Sequence, residues 1–197
     1  SCGNPDNGVH IFDGKAYPME THGFADLCAW EVDSVGPDGV TLALESTPLT
    51  KFLYPFDFTL LLNYNLEGNK ALVSLTVINE GSTDMPFSFG YHPYFTASKL
   101  ENVEFDIKCA TCSENAKGEQ PAAPETITLT RKEGSADSIR LMTGVKSPMR
   151  LTDSGSGHTV EVAFDENVFT NGVLWQQDAE TFVCMEPWNG WANSVNE

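Results

Sequence analysis

Positive charge is scarce in this chain of 197 residues: 11 Lys and Arg face 28 Asp and Glu, a formal net charge of -17. A surface this acidic repels phosphate backbones and anionic lipid, which argues against nucleic acid and membrane surfaces as partners. The acid is spread along the chain rather than gathered in a tail, and solubility accounts for it. Long apolar runs are missing too. No stretch approaches the roughly 18 apolar residues of a membrane-spanning helix. The opening "SCGNPDNGVH" has neither a basic nor an apolar region, so no signal peptide is visible and a cytoplasmic location is expected. Cysteine is sparse and irregular. Five thiols (Cys2, Cys28, Cys109, Cys112, Cys184) are an odd number and a poor disulfide framework. Cys109 and Cys112 form a lone C-x-x-C without a second pair or a following helix, which favours structural thiols over zinc or redox chemistry.

Several catalytic signatures are absent as well. There is no G-x-S-x-G elbow, no phosphate-cradling glycine loop and no H-E-x-x-H. No window carries a 3.6-residue apolar stripe, so helices should be few and short. Repeats, low-complexity segments and linkers are likewise missing, and residues 1–197 read as a single domain.

What the chain does contain is strands. Hydrophobic content of 41% with 11% aromatics is globular composition. In "FTLLLNYNL", Phe58, Leu60, Leu62, Tyr64 and Leu66 recur at period two, and "EGNK" leads into "ALVSLTVI", where Val73, Leu75 and Val77 share a face. This pattern predicts a β-hairpin. A second hairpin is predicted where "DSGSG" joins Met149 and Leu151 to Val160, Val162 and Phe164. "GVTLALES", "VEFDIKCA", "ETITLT", "GVLWQQ" and "TFVCMEP" are further strand candidates, and "SENAKGEQPAAPE" reads as a loop. Many short strands with Gly, Pro, Asn and Asp between them predict an all-β antiparallel sandwich or barrel.

A few polar groups sit in unusual company. "FSFGYHPYFTAS" surrounds His92 with Phe87, Phe89, Tyr91, Tyr94 and Phe95. His92 is either a satisfied core imidazole or a positioned acid-base group. His22, in "ETHGFADLCAWEV", reads on its own as a surface or satisfied histidine, with a functional role as the alternative. Glu186 ends the apolar run "TFVCMEPW", which suggests a carboxylate leaving the sheet at a rim where Pro187 turns the chain. Trp188 and Trp191 follow it, either as core packing or as rings that stack on the apolar face of a sugar.

The ordered set "HGFA…W…V", "YPFDF", "PFSFGYHPYF" and "EPW…NSVNE" resembles the aldose 1-epimerase (galactose mutarotase-like) family, and is most similar to its hexose-6-phosphate epimerase-like branch. The resemblance implies a β-supersandwich that binds a sugar in a groove and interconverts its α and β anomers. It implies that His92, of the "HPYF" type, is the general acid and Glu186 the general base. By the same route His22 of "HGFA" contacts substrate, and Asp137 in "SADSIRL" is a looser match to an aspartate that touches sugar hydroxyls. Trp188 is expected beside the sugar.

The residue types suit that chemistry. Opening the hemiacetal needs a base at the anomeric hydroxyl and an acid at the ring oxygen, with the roles reversed on closure. No metal, cofactor or covalent intermediate is expected. Two departures from the family pattern stand out. Asp26 follows "HGFA" where the phosphate-binding branch has arginine, which disfavours a phosphorylated sugar. Strands that family members carry ahead of the position matching Ser1, with a substrate-contacting arginine, are expected to be missing. The readings are therefore an epimerase on a hexose or hexose phosphate, a non-catalytic carbohydrate-binding protein of the same fold, or a sandwich whose exposed edge pairs with another chain.

Overall fold

A computed structural model describes residues 2–114, 120–129, 137–177, 181–191 and 193–196. The chain divides into two compact units. The first comprises Gly3–Phe87 with the C-terminal stretch from 192 on, and the second comprises Ser88–Trp191 with Cys2.

The first unit holds β1 (Val9–Phe12), β2 (Lys15–Pro18), β3 (Glu31–Val35), β4 (Gly39–Glu45), α1 (Pro48–Leu53), β5 (Phe58–Glu67) and β6 (Lys70–Asn79). Strands β1 and β2 form a two-stranded ribbon, and β3-β4-β5-β6 form an antiparallel meander. The predicted β5–β6 hairpin pairs from Phe58↔Asn79 to Glu67↔Lys70. Its apolar alternation is only partly used: Phe58 is buried, but Leu66 is 63% exposed at the far end. Helix α1 is a single capped turn and a half. The Thr47 and Thr50 side chains satisfy each other's backbone N–H groups, and Pro48 stands at its start, where no N–H is needed. The core is aromatic. Tyr54, Phe56 and Phe58 of "YPFDF" pack with Met19 and Leu44, with the Tyr54 and Phe56 rings 4.6 Å apart.

The second unit holds β7 (Tyr94–Thr96), β8 (Val103–Asp106), β9 (Thr111–Ser113), β10 (Asp137–Thr143), β11 (Met149–Asp153), β12 (His158–Val162), β13 (Asn171–Gln177) and β14 (Phe182–Trp188). One sheet has the order β7-β14-β13-β10-β9 and the other β12-β11-β8, both antiparallel. Met142, Leu174, Val183 and Met185 of the first sheet meet Phe105, Met149 and Leu151 of the second in one apolar layer. The opposite face of the five-stranded sheet carries Leu141, Val173 and Trp188, packed with Cys2. Strand β14 is thus buried on both faces, which explains its near-continuous apolar sequence.

The predicted turn "DSGSG" owes its shape to Asp153, which is 1% exposed. Its carboxylate accepts from the Ser98 N–H (2.7 Å), Ser98 Oγ (2.6 Å), the Gly155 N–H (2.9 Å) and Ser156 Oγ (2.9 Å). Two strand expectations are corrected. "ETITLT" contributes a single bridge from Ile127 to Phe105, because one residue of it meets a partner strand, and its Thr130 lies outside the described residues. "VEFDIKCA" is a strand only as far as Asp106. Of the expected loop "SENAKGEQPAAPE", residues 115–119 lie outside the described residues. Among the described residues no helix is long and apolar enough to cross a membrane.

Candidate active site

Alternation along β14 puts Cys184, Glu186 and Trp188 on one face, level with Trp175, Val173 and Asn171 of β13. Glu186 is 1% exposed. Trp188 Nε1 donates to its Oε2 at 3.1 Å, and its Oε1 lies 3.4 Å from His92 Nε2. Burial pushes the carboxyl up to about 8, opposed by the indole N–H. Burial thus makes this carboxyl costly to ionise, and the two polar neighbours aim at its two oxygens.

His92 comes from the segment before β7, which is clipped to the end of β14. Tyr91 donates its N–H to the Pro187 carbonyl (3.1 Å), and Phe89 and Asn189 exchange bonds, Phe89 N–H to Asn189 Oδ1 (2.8 Å) and Asn189 N–H to the Phe89 carbonyl (3.1 Å). Between them Gly90 lies flat on Trp188. A Cβ there would come within 2.3 Å of Trp188 Cδ1, so only glycine lets the indole lie in this position. The imidazole stacks on Tyr94 (4.9 Å, 18°) and takes the edge of Trp175 (5.7 Å, 76°). Its side chain is 30% exposed, so it is the open side of the pair while Glu186 is the closed side.

The aromatic company of His92 is therefore divided. Tyr94 supports the imidazole, whereas Phe95, one residue on and on the opposite face, packs into the apolar layer between the sheets. The expected rim position of Glu186 is corrected. The strand runs on through Pro187 to Trp188, and the carboxylate lies under neighbouring side chains. Pro187 is tolerated because its missing N–H faces the 88–91 segment, beyond Cys184, where β7 pairing ends. Trp188 is likewise buried, at 7%, and holds the carboxylate rather than forming an open wall.

Asp137, in the same sheet, lies apart from this cluster. Asp137 opens β10 opposite Gln177, on the same sheet face as Trp175, but four residues along the strand from Leu141, which is level with Glu186. That is about 13 Å of strand. His22 belongs to the other unit. It sits in a turn at φ 65°, where its Nδ1 accepts from the Gly3 N–H at 3.1 Å and its own N–H donates to the Gly3 carbonyl. Partial burial lowers its pKa, with Asp26 opposing. Two members of the cluster escape sequence reasoning. Cys184 carried a signal, since it stands two residues before Glu186 on a strand. Trp175 carried none, because its place depends on the β13–β14 register. Cys184 is fully buried, and its thiol is pushed up to about 12 by burial and then by Glu186. The donor atoms of His92, Cys184 and Glu186 all lie within 4.8 Å of one another, a spacing that could hold a metal ion.

The chain is 26% identical over 223 aligned positions to the LacX protein of Lactococcus lactis subsp. lactis, covering all of this chain and 73% of LacX. It superposes on the Slr1438 protein of Synechocystis sp. PCC 6803 with a TM-score of 0.90 at 28% identity, covering 99% of this chain and 67% of that one. A galactose mutarotase related enzyme from Lactobacillus acidophilus gives a TM-score of 0.81 at 24% identity, over 95% of this chain and 68% of that one. The fold is accordingly the antiparallel β-supersandwich of the galactose mutarotase-like proteins. The sequence profile of the aldose 1-epimerase family matches residues 7–196, through both units, and the chain belongs to that family.

Proposed function

We propose that the chain is an aldose 1-epimerase-type isomerase that interconverts the α and β anomers of a hexose or hexose phosphate, with residues 1–197 acting as one carbohydrate-binding domain. The observation that carries this reading is the contact of His92 Nε2 with Glu186 Oε1 at 3.4 Å in a site open at the imidazole. The two oxygens on one anomeric carbon are two bonds apart, so an acid and a base this close can each address one of them.

In the productive form Glu186 is a carboxylate and the proton is on His92. Glu186 takes the proton of the anomeric hydroxyl while His92 gives its proton to the ring oxygen. The C1–O5 bond breaks and C1 becomes a carbonyl. After rotation about the C1–C2 bond, Glu186 returns its proton to the carbonyl oxygen, the ring oxygen adds to the other face, and its proton goes back to His92. The pair ends each turnover with the protons it began with, so no co-reactant is needed. Each positioned group contributes roughly 10²–10⁴-fold. Because Glu186, pushed up to about 8, must be ionised while His92 is protonated, kcat/KM should be bell-shaped in pH, with both limbs belonging to the pair. Tyr94 and Trp175 hold the ring plane of His92. His22 and Asp137 are proposed as substrate-side residues on the strength of family likeness, and Trp188, expected beside the sugar, acts there through the Glu186 carboxylate that it holds.

Anomer exchange followed by polarimetry or by NMR exchange spectroscopy tests the reading, with glucose, galactose and their 6-phosphates as substrates. Exchange well above the buffer rate, lost in Glu186→Gln, is the expected result. Exchange at the buffer rate for all four sugars defeats the enzyme reading for those substrates. One observation favours the second reading, a non-catalytic sugar-binding protein: Glu186 is closed off behind His92. Sugar binding without exchange would select it.

A further inference from the structure

We infer that His92, Cys184 and Glu186 form a site for a thiophilic divalent cation of the zinc class, which binds across the acid-base pair itself. The sequence alone gave no reason to expect a metal. The donor atoms lie on two segments that the fold holds rigidly together. Cys184 and Glu186 project from the same face of β14, and His92 enters from the segment clipped to the end of that strand. All three donor atoms lie within 4.8 Å of one another.

Chemistry and geometry both favour zinc over calcium or magnesium. One thiolate, one imidazole and one carboxylate are a mixed nitrogen, sulfur and oxygen set, unlike the all-oxygen shells of the hard cations. Tetrahedral bonds of about 2.0–2.3 Å separate neighbouring ligand atoms by roughly 3.3–3.8 Å. The His92 to Glu186 distance of 3.4 Å already fits, and the widest separation in the trio needs to close by roughly 1 Å. Three protein ligands leave a fourth position for water, on the side where His92 is 30% exposed and an ion can enter. The ligands are held from behind as well: Trp188 Nε1 donates to the far oxygen of Glu186, and Tyr94 and Trp175 pack against the imidazole. A buried cysteine is most often a small apolar filler. At position 184 it has an imidazole and a carboxylate within reach. On binding, bonds form from the metal to Sγ, the imidazole nitrogen and a Glu186 carboxylate oxygen, and the thiol proton, with the carboxyl proton that Glu186 holds below about pH 8, leaves to solvent.

Because the ion would occupy both groups of the pair, zinc should block anomer exchange, and a chelator should restore it. That consequence rests on the isomerase reading, but the binding does not. Binding is therefore tested without sugar, by titrating the full chain with Co²⁺ and recording the near-ultraviolet thiolate-to-cobalt charge-transfer band. We expect one equivalent to give the band, zinc to displace it, and the band to be lost in Cys184→Ser and in His92→Gln. Cys112→Ser, which alters a buried thiol on β9, should keep it. Absence of the band in the unmodified chain overturns the inference, as does its persistence in Cys184→Ser. Should Cys184→Ser fold poorly, His92→Gln decides alone, because His92 is the partly exposed ligand and the band must disappear without it.

Discussion

Two carboxylates in the second unit are each 1% exposed, and they are solvated in opposite ways. Asp153 replaces its lost water with four donors from the hairpin it closes, and its pKa is held well below the usual carboxylate range, first by the Ser98 hydroxyl. Glu186 has the Trp188 indole and the edge of His92, and burial outweighs the indole to push it up to about 8. The first is an ionised hub that shapes a turn. The second is a proton carrier beside an imidazole. Burial alone does not distinguish a structural carboxylate from a chemical one; the number of donors pointed at it does.

The sharpest way to break that contrast is to neutralise each carboxyl at constant shape. Glu186→Gln should cut anomer exchange by roughly 10²–10⁴-fold. Asp153→Asn should leave exchange per folded molecule within a few-fold while lowering the thermal midpoint, because an amide cannot accept all four bonds. If the two substitutions depress exchange equally, Glu186 has no special chemical role.

Stability against pH should run in opposite directions at the two sites. Between the ordinary value of 4.5 and about 8, folded Glu186 keeps a proton that the unfolded chain releases. Wild-type stability therefore falls as pH rises through that window. Glu186→Gln should remove this loss, worth on the order of 2–4 kcal/mol by pH 8, in urea unfolding at a series of pH values. For Asp153 the shift is downward. Its contribution is complete above the ordinary carboxylate range and is lost as pH falls through it. Asp153→Asn should thus flatten the acid limb of the stability curve while leaving its slope from pH 5 to 8 in place.

Both carboxylates lie where sequence reading was uneven, and the reasons are physical. The hairpins Phe58–Glu67 with Lys70–Asn79, and Met149–Asp153 with His158–Val162, were legible because strand period and turn chemistry are both local. Strand β3 was not, since its residues are all exposed and carry no burial pattern. "ETITLT" has the right alternation, yet among its described residues only Ile127 finds a strand partner, which is a property of distant Phe105 rather than of the segment. Glu186 stood out as a carboxylate in an apolar run. Whether it lay at a rim or under cover depended on both neighbours of β14, and a strand buried on both faces has no alternation to show it. The pairing of His92 with Glu186, 94 positions apart, came from family likeness and not from spacing. Cys184 went unremarked because single buried thiols are ordinary.

The smallest expected effect tests the indole that separates the two cases in degree. Trp188 Nε1 is the donor that opposes burial at Glu186, so Trp188→Phe should push that carboxyl further up and move the bell-shaped exchange profile towards higher pH. The rise should be at most about one unit, with up to about a tenfold loss of rate at neutral pH. Gly90→Ala should act in the same direction by a different route, since its Cβ would come within 2.3 Å of Trp188 Cδ1 and must displace the ring. If both act through the one N–H, adding Gly90→Ala to Trp188→Phe should move the profile no further, because the donor is already gone. A full additional shift in the double variant would mean that Gly90 supports the pair through the backbone of the 89–92 segment instead, and the donor count at Glu186 would then be the wrong measure of its difference from Asp153.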